Sequence, residues 1–161
     1  MNALNSSLDR NTKLALVIIA GLLAVRIILV LASPLELYAD EAQYWRWGQS
    51  LEWGYYSKPP MIAWVIWATT SVFGNAEWAV RLASPFLHTA TAGMVFLTGR
   101  KLFDGRVGFW ACATYALMPA VWLSSFIIST DATLLLCWAV ALHAWACLRE
   151  RGSWGRAVQL G

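Results

Sequence analysis

Long apolar blocks constrain this chain more than any other feature. Leu14–Ala32 is an unbroken apolar run of 19 residues carrying a single charge, Arg26. At 1.5 Å per residue it measures roughly 28 Å as a helix, about one hydrocarbon thickness. Further blocks follow at Leu82–Gly99, Val107–Leu123 and Ala132–Leu148. Blocks of this length lack the 3.6- or 2-residue alternation of a soluble helix or strand. They predict an all-α membrane protein. Hydrophobic residues make up 59% of the chain and charged ones 13%, about half the soluble norm. Eleven Trp residues suit the two membrane interfaces. The net charge of +3 is small and forms no concentrated basic face, so nucleic acid is not an expected partner.

Between the first two blocks lies a mixed polar and aromatic segment, residues 33–81. Asp40–Ser50 reads as one short interfacial helix. Pro60–Phe73 is apolar, but its 14 residues reach only about 21 Å, too short to span. It reads as a second juxtamembrane or re-entrant helix. The basic residues decide between four spans and five. With four spans and a cytoplasmic N-terminus, Arg10, Lys13, Arg100, Lys101, Arg106, Arg149, Arg151 and Arg156 lie inside, and Arg46, Lys58 and Arg81 outside. A fifth span would reverse this count, so the positive-inside rule favours four. Residues 1–13 and 152–161 are then cytoplasmic, flanking a membrane module over 14–151. The N-terminal run exceeds a usual signal-peptide core, and Pro34 crowds any cleavage point, so a retained helix is expected. Asn5-Ser6-Ser7 matches a glycosylation sequon but falls on the cytoplasmic side.

Four spans put Asp40, Lys58 and Asp131 on one non-cytoplasmic face. Asp40 and Glu41 are adjacent, so one can face a substrate while the other orients the loop or a cation. The plain alternative is that Asp40 caps the following helix. Lys58 sits on a turn stiffened by Pro59 and Pro60, with Tyr55 and Tyr56 beside it. A fixed cation and phenolic donors suit a lipid phosphate. A Lys snorkelling to headgroups would look the same. Asp131 reads as the N-cap of the last span or as a second acid facing the Asp40 site. Arg26 should face the bundle with a partner, Asp131 being one candidate. Arg81 is placed to pair with Glu77 four residues earlier or to snorkel. His88 and His143 read as packing residues, and Cys112, Cys137 and Cys147 as small apolar fillers in no metal spacing.

Several pieces stand in an order that resembles a known family. They are Tyr38-Ala39-Asp40-Glu41 with Tyr44, then Gly54-Tyr55-Tyr56-Ser57-Lys58-Pro59-Pro60, Phe73-Gly74 and Val80-Arg81-Leu82. Gly99-Arg100-Lys101-Leu102-Phe103, Pro119 and Thr130-Asp131 follow. The chain resembles the N-terminal part of the GT-C membrane glycosyltransferases. Within them it is most similar to the dolichyl-phosphate-mannose protein mannosyltransferase and aminoarabinose transferase group. The resemblance implies about four transmembrane helices with two juxtamembrane helices in the first outer loop. It also implies sugar transfer from a polyprenyl-phosphate donor to an acceptor hydroxyl on a glycan, lipid or protein. Asp40, Glu41 and Asp131 would be the catalytic acids, and Tyr55 and Lys58 would bind the donor phosphate. Where the aminoarabinose branch has a metal-ligating Glu before the Lys, this chain has Ser57. No metal ligand is therefore assigned, and dependence on a divalent metal is left open. The bacterial inner membrane is the expected location, with the site on its periplasmic or extracellular face. Family members are several times longer, so a missing C-terminal part is an expected partner. The contrasting readings are a non-catalytic membrane protein or transporter fragment that binds lipid phosphate, for which Arg26 speaks, and an inactive truncated relic.

Overall fold

The computed structural model describes residues 9–149, which form eight helices and no strand among the described residues. The Asn5 sequon and the tail with Arg151 and Arg156 lie outside them. The helices are α1 (Arg10–Ala32), α2 (Ala39–Gly48), α3 (Met61–Phe73), α4 (Glu77–Arg81), α5 (Ala83–Leu102), α6 (Gly105–Leu117), α7 (Pro119–Ser124) and α8 (Thr130–Leu148). The protein is an all-α membrane protein. Helices α1 and α8 are long and apolar enough to cross a membrane. Their outer faces expose Val17, Ile28 and Leu31, and Leu134, Trp138 and Leu142, a surface that water would not stabilise.

Local chemistry sets the helix ends. Asp9 caps α1 by accepting from the Thr12 amide at 2.7 Å, and Asp104 caps α6 by accepting from Val107 at 2.8 Å. Gly74, at φ +83°, stops α3 with a conformation that disfavours a side chain. The expected short helices at 40–50 and 60–73 appear as α2 and α3.

The expected span Val107–Leu123 is not one helix. Met118 is extended and Pro119 opens α7, so the chain breaks between α6 and α7. Pro119 has no N–H to give the preceding turn. Arg26 supplies part of the remedy. It is 1% exposed, and its Nη2 donates to the Ala116 carbonyl at 2.7 Å. Its guanidinium also lies 5.3 Å from the centre of the Trp122 ring. The partner of Arg26 is thus the broken helix rather than Asp131.

A buried polar chain holds α7 against α5 and α6. Ser84 Oγ donates to the Ser124 carbonyl at 2.7 Å. The His88 ring nitrogens stand 3.0 Å from the Tyr115 hydroxyl and 2.9 Å from Ser124 Oγ. His88 is packed as expected, and it also links three helices.

Helices α5 and α6 approach closely at two glycines. A Cβ on Gly108 would stand 2.7 Å from the Phe96 carbonyl oxygen, and one on Gly99 would stand 2.9 Å from the Gly108 Cα. Ala15, Ala92, Phe96, Cys112 and Ala116 fill the core beside this contact. A second core, of Tyr44, Ile62, Ile66, Val80, Ala83 and Ile128, lies under α2 and α3.

The bundle therefore has two distinct ends. At one end Arg100 Nη1 donates to Thr12 Oγ1 at 3.2 Å, and Gly105 approaches Asp9 and Asn11. Arg10, Lys13, Arg100, Lys101 and Arg106 all belong to the helix turns gathered there. At the other end α2, α4 and the α7–α8 link meet the end of α1.

Candidate functional site

The acidic end is organised by Glu41. It is 2% exposed, yet its carboxylate accepts four hydrogen bonds. Oε1 accepts from Arg81 Nε at 2.9 Å and from the Ile128 amide at 2.9 Å. Oε2 accepts from Arg81 Nη2 at 2.7 Å and from the Tyr38 amide at 3.0 Å. Arg81 in turn donates to the Leu35 and Glu36 carbonyls, both at 2.8 Å. The Glu41 carboxylate beside it holds the Arg81 guanidinium still more firmly protonated than usual. Arg81 pairs with Glu41 rather than with Glu77, the partner its spacing suggested.

This arrangement separates the two adjacent acids. Glu41, expected among the catalytic acids, has its acceptor sites occupied by the fold. It ties α2 to α4 and to the α7–α8 link, and through Arg81 to the segment between α1 and α2. Asp40, one residue earlier, lines the same cleft as Glu41 but is exposed, and its carboxylate makes no hydrogen bond or ion pair among the described residues. The cap position of α2 is Tyr38, so Asp40 is not the capping residue.

Asp40 stands on the wall of a cleft of about 900 Å³. That volume is in the range of small-molecule sites. Leu29 and Ser33 of the α1 end, Tyr38 and Tyr44, and Leu123, Phe126 and Ser129 complete much of its lining. Among the described residues Arg81 is its only cationic lining residue, and Glu41 holds it.

Asp131 is placed differently from its expected role as cap. Ser129 is the cap of α8, and Asp131 is its second residue, its side chain free of hydrogen bonds among the described residues. Asp131 does not line the cleft, but it lies close enough to Tyr44 to act on that phenol together with Asp40.

Tyr55 and Lys58 are not brought to the cleft wall. The Tyr55 hydroxyl lies 2.8 Å from the Ser50 carbonyl and 3.1 Å from that of Trp47, and it accepts from the Glu52 amide at 3.1 Å. Its ring stacks on Trp47 at 5.1 Å. Tyr55 thus closes the loop between α2 and α3. Lys58, on the same loop, is exposed; its carbonyl accepts from the Tyr55 amide at 3.3 Å, and its ammonium makes no hydrogen bond or ion pair among the described residues.

Tyr44, part of the family-like motif, was given no role in the sequence reading. It is 4% exposed, lines the cleft, and lies one helical turn after Asp40. That four-residue spacing was the signal available for it.

The described residues thus form an all-α membrane bundle with an acid-bearing cleft at one end. Residues 57–161 match the dolichyl-phosphate-mannose-protein mannosyltransferase family, and the chain belongs to this family of GT-C membrane glycosyltransferases. Over 147 residues it is 42% identical to the lipid A galacturonosyltransferase RgtD of Rhizobium johnstonii, covering 91% of this chain and 31% of that protein. The chain thus spans about a third of the length of the curated relative it matches. No solved structure matches it.

Proposed function

We propose that this chain carries the acid-bearing part of a membrane glycosyltransferase, moving a sugar from a polyprenyl-phosphate donor to an acceptor hydroxyl. The observation that carries this reading is Asp40, an unpartnered carboxylate on the wall of a 900 Å³ cleft, held there by its buried neighbour Glu41. Asp40 is the base, or the orienting group, for the attacking hydroxyl. The donor arrives with phosphate as its leaving group, so the chemistry needs a base on one side and a phosphate contact on the other. Lys58, exposed and unpaired on the loop after α2, supplies that contact and offsets charge on the departing phosphate. Asp131 is a second acid near the same end. Glu41 acts through Asp40 and Arg81 as a positioning residue.

The membrane placement follows the same reading. The chain crosses four times, through α1, α5, the broken pair α6–α7, and α8, with α2 and α3 at the interface. The basic end is cytoplasmic, and the cleft opens on the periplasmic face of a bacterial inner membrane. The similarity to a lipid A galacturonosyltransferase supports a glycolipid acceptor and an acidic sugar donor. An intramembrane transport path draws no support from Arg26, whose guanidinium binds a backbone carbonyl.

The test is incorporation of labelled sugar from polyprenyl-phosphate donors in membranes holding the protein. Asp40→Asn should insert normally and lose activity by about 10²–10⁴-fold, the span of a general base. Wild-type transfer by this variant would end the proposal.

A further inference from the structure

Tyr44 presents a hydroxyl that the fold does not use. Its ring is packed among Ile62, Ile66 and Ile128 and lies 5.6 Å from the Trp47 ring. A phenylalanine would make the same contacts. The hydroxyl makes no hydrogen bond among the described residues, although the residue is 96% removed from solvent (4% exposed). The hydroxyl is not among the fully enclosed, unpaired polar atoms, so it keeps a solvent-accessible face with a free donor and acceptor. Here the residue lines the cleft, and both Asp40 and Asp131 act on its phenol.

The surroundings select the ligand. The carboxylates here repel a phosphate, and they turn the carboxylate of an acidic sugar away from themselves. They attract a neutral hydroxyl, which can donate to a carboxylate while accepting from a phenol. Burial first, and the two acids after it, push the Tyr44 phenol above its usual range, so it stays a neutral donor.

We propose that Tyr44, one helical turn after Asp40 on the cleft wall, is a binding residue for a sugar hydroxyl, and that the lipid phosphate is held elsewhere. The proposal rests on the glycosyltransferase reading of the Asp40 cleft. The hydroxyl belongs either to the acceptor or to the ring of the donor sugar, and both have the same chemistry at this point.

The experiment compares wild type with Tyr44→Phe in the membrane transfer assay, alongside Asp40→Asn. Tyr44→Phe should lower kcat/KM about tenfold or more. The KM that rises identifies the hydroxyl as the acceptor's or the donor's. Inhibition by sugar-free polyprenyl phosphate should stay within about twofold of wild type. Because the hydroxyl is unpaired in the protein, the Phe variant should melt at or above the wild-type temperature. Unchanged kcat/KM, weakened inhibition by polyprenyl phosphate, or a clearly lower melting temperature would each overturn the proposal. Transfer that depends on Asp40 but ignores Tyr44→Phe removes only this inference. Transfer that ignores Asp40→Asn removes the underlying reading.

Discussion

Arg81 Nη2 stands 2.7 Å from Glu41 Oε2, and both side chains are 3% exposed. Forty residues separate them in the chain. Breaking one member of such a pair leaves a buried charge without compensation, at about 3–5 kcal/mol. Glu41→Gln should therefore lower stability by that order, read as a fall in thermal unfolding temperature in detergent. Replacing both residues by apolar ones should recover only part of the loss. The amides of Tyr38 and Ile128 would still lack their acceptor.

The glycine contact between α5 and α6 makes a contrasting pair of variants. Gly108→Ala forces a Cβ against the Phe96 carbonyl and should cost about 1–3 kcal/mol. Gly93→Ala, also in a helix, meets nothing within 4 Å and should gain about 0.5–1 kcal/mol. Thermal unfolding of the two variants in one detergent checks both signs together.

Tyr55 separates a loop-holding role from a ligand-binding one. Tyr55→Phe removes the hydroxyl that ties Ser50, Trp47 and Glu52, a loss of about 1 kcal/mol confined to the loop. Limited proteolysis between α2 and α3 should quicken while global unfolding barely moves. Affinity for polyprenyl phosphate should fall more with Lys58→Ala than with Tyr55→Phe.

Tyr44 also implies a pH dependence. Its folded value lies above the ordinary 10.0 of a phenol. In the unfolded chain the phenol loses its proton near pH 10, whereas in the folded protein it does not. The unfolded state then binds fewer protons, so stability falls as pH rises from about 10 toward the folded value. Tyr44→Phe should remove this component and flatten the alkaline limb of a stability profile.

The helices were legible where a local rule governed them. Run length gave α1 and α8, Gly74 ended α3, and the short apolar stretch before it was too short to span. Asp40 was singled out from its pairing with Glu41 and from the family-like motif, and the structure sets it on the wall of the cleft. Long-range contacts left no local trace. The pairing of Glu41 with Arg81, the Ile128 amide on Glu41, and Arg26 on the Ala116 carbonyl join residues 40, 87 and 90 positions apart. Sequence spacing pointed instead to the nearest opposite charge, Glu77 for Arg81. Asp131 was misplaced as a cap because Ser129-Thr130-Asp131 offers three capping residue types in a row, and geometry chose the first. Tyr44 was quoted within the family-like motif but given no role, because sequence does not show which part of the side chain the fold uses: its ring is packing, and only the hydroxyl is in excess.

The bond from the Ile128 amide to Glu41 spans 87 residues. A ribosome adding roughly 5–20 residues per second takes on the order of 4–17 s to make that stretch. Throughout this interval α2 is already made, yet one of the four donors to its glutamate does not exist. The cleft wall is therefore among the last features of this region to assemble during biogenesis. A nascent chain halted before residue 128 would hold Asp40 at the membrane surface without the enclosure that gives it a purpose.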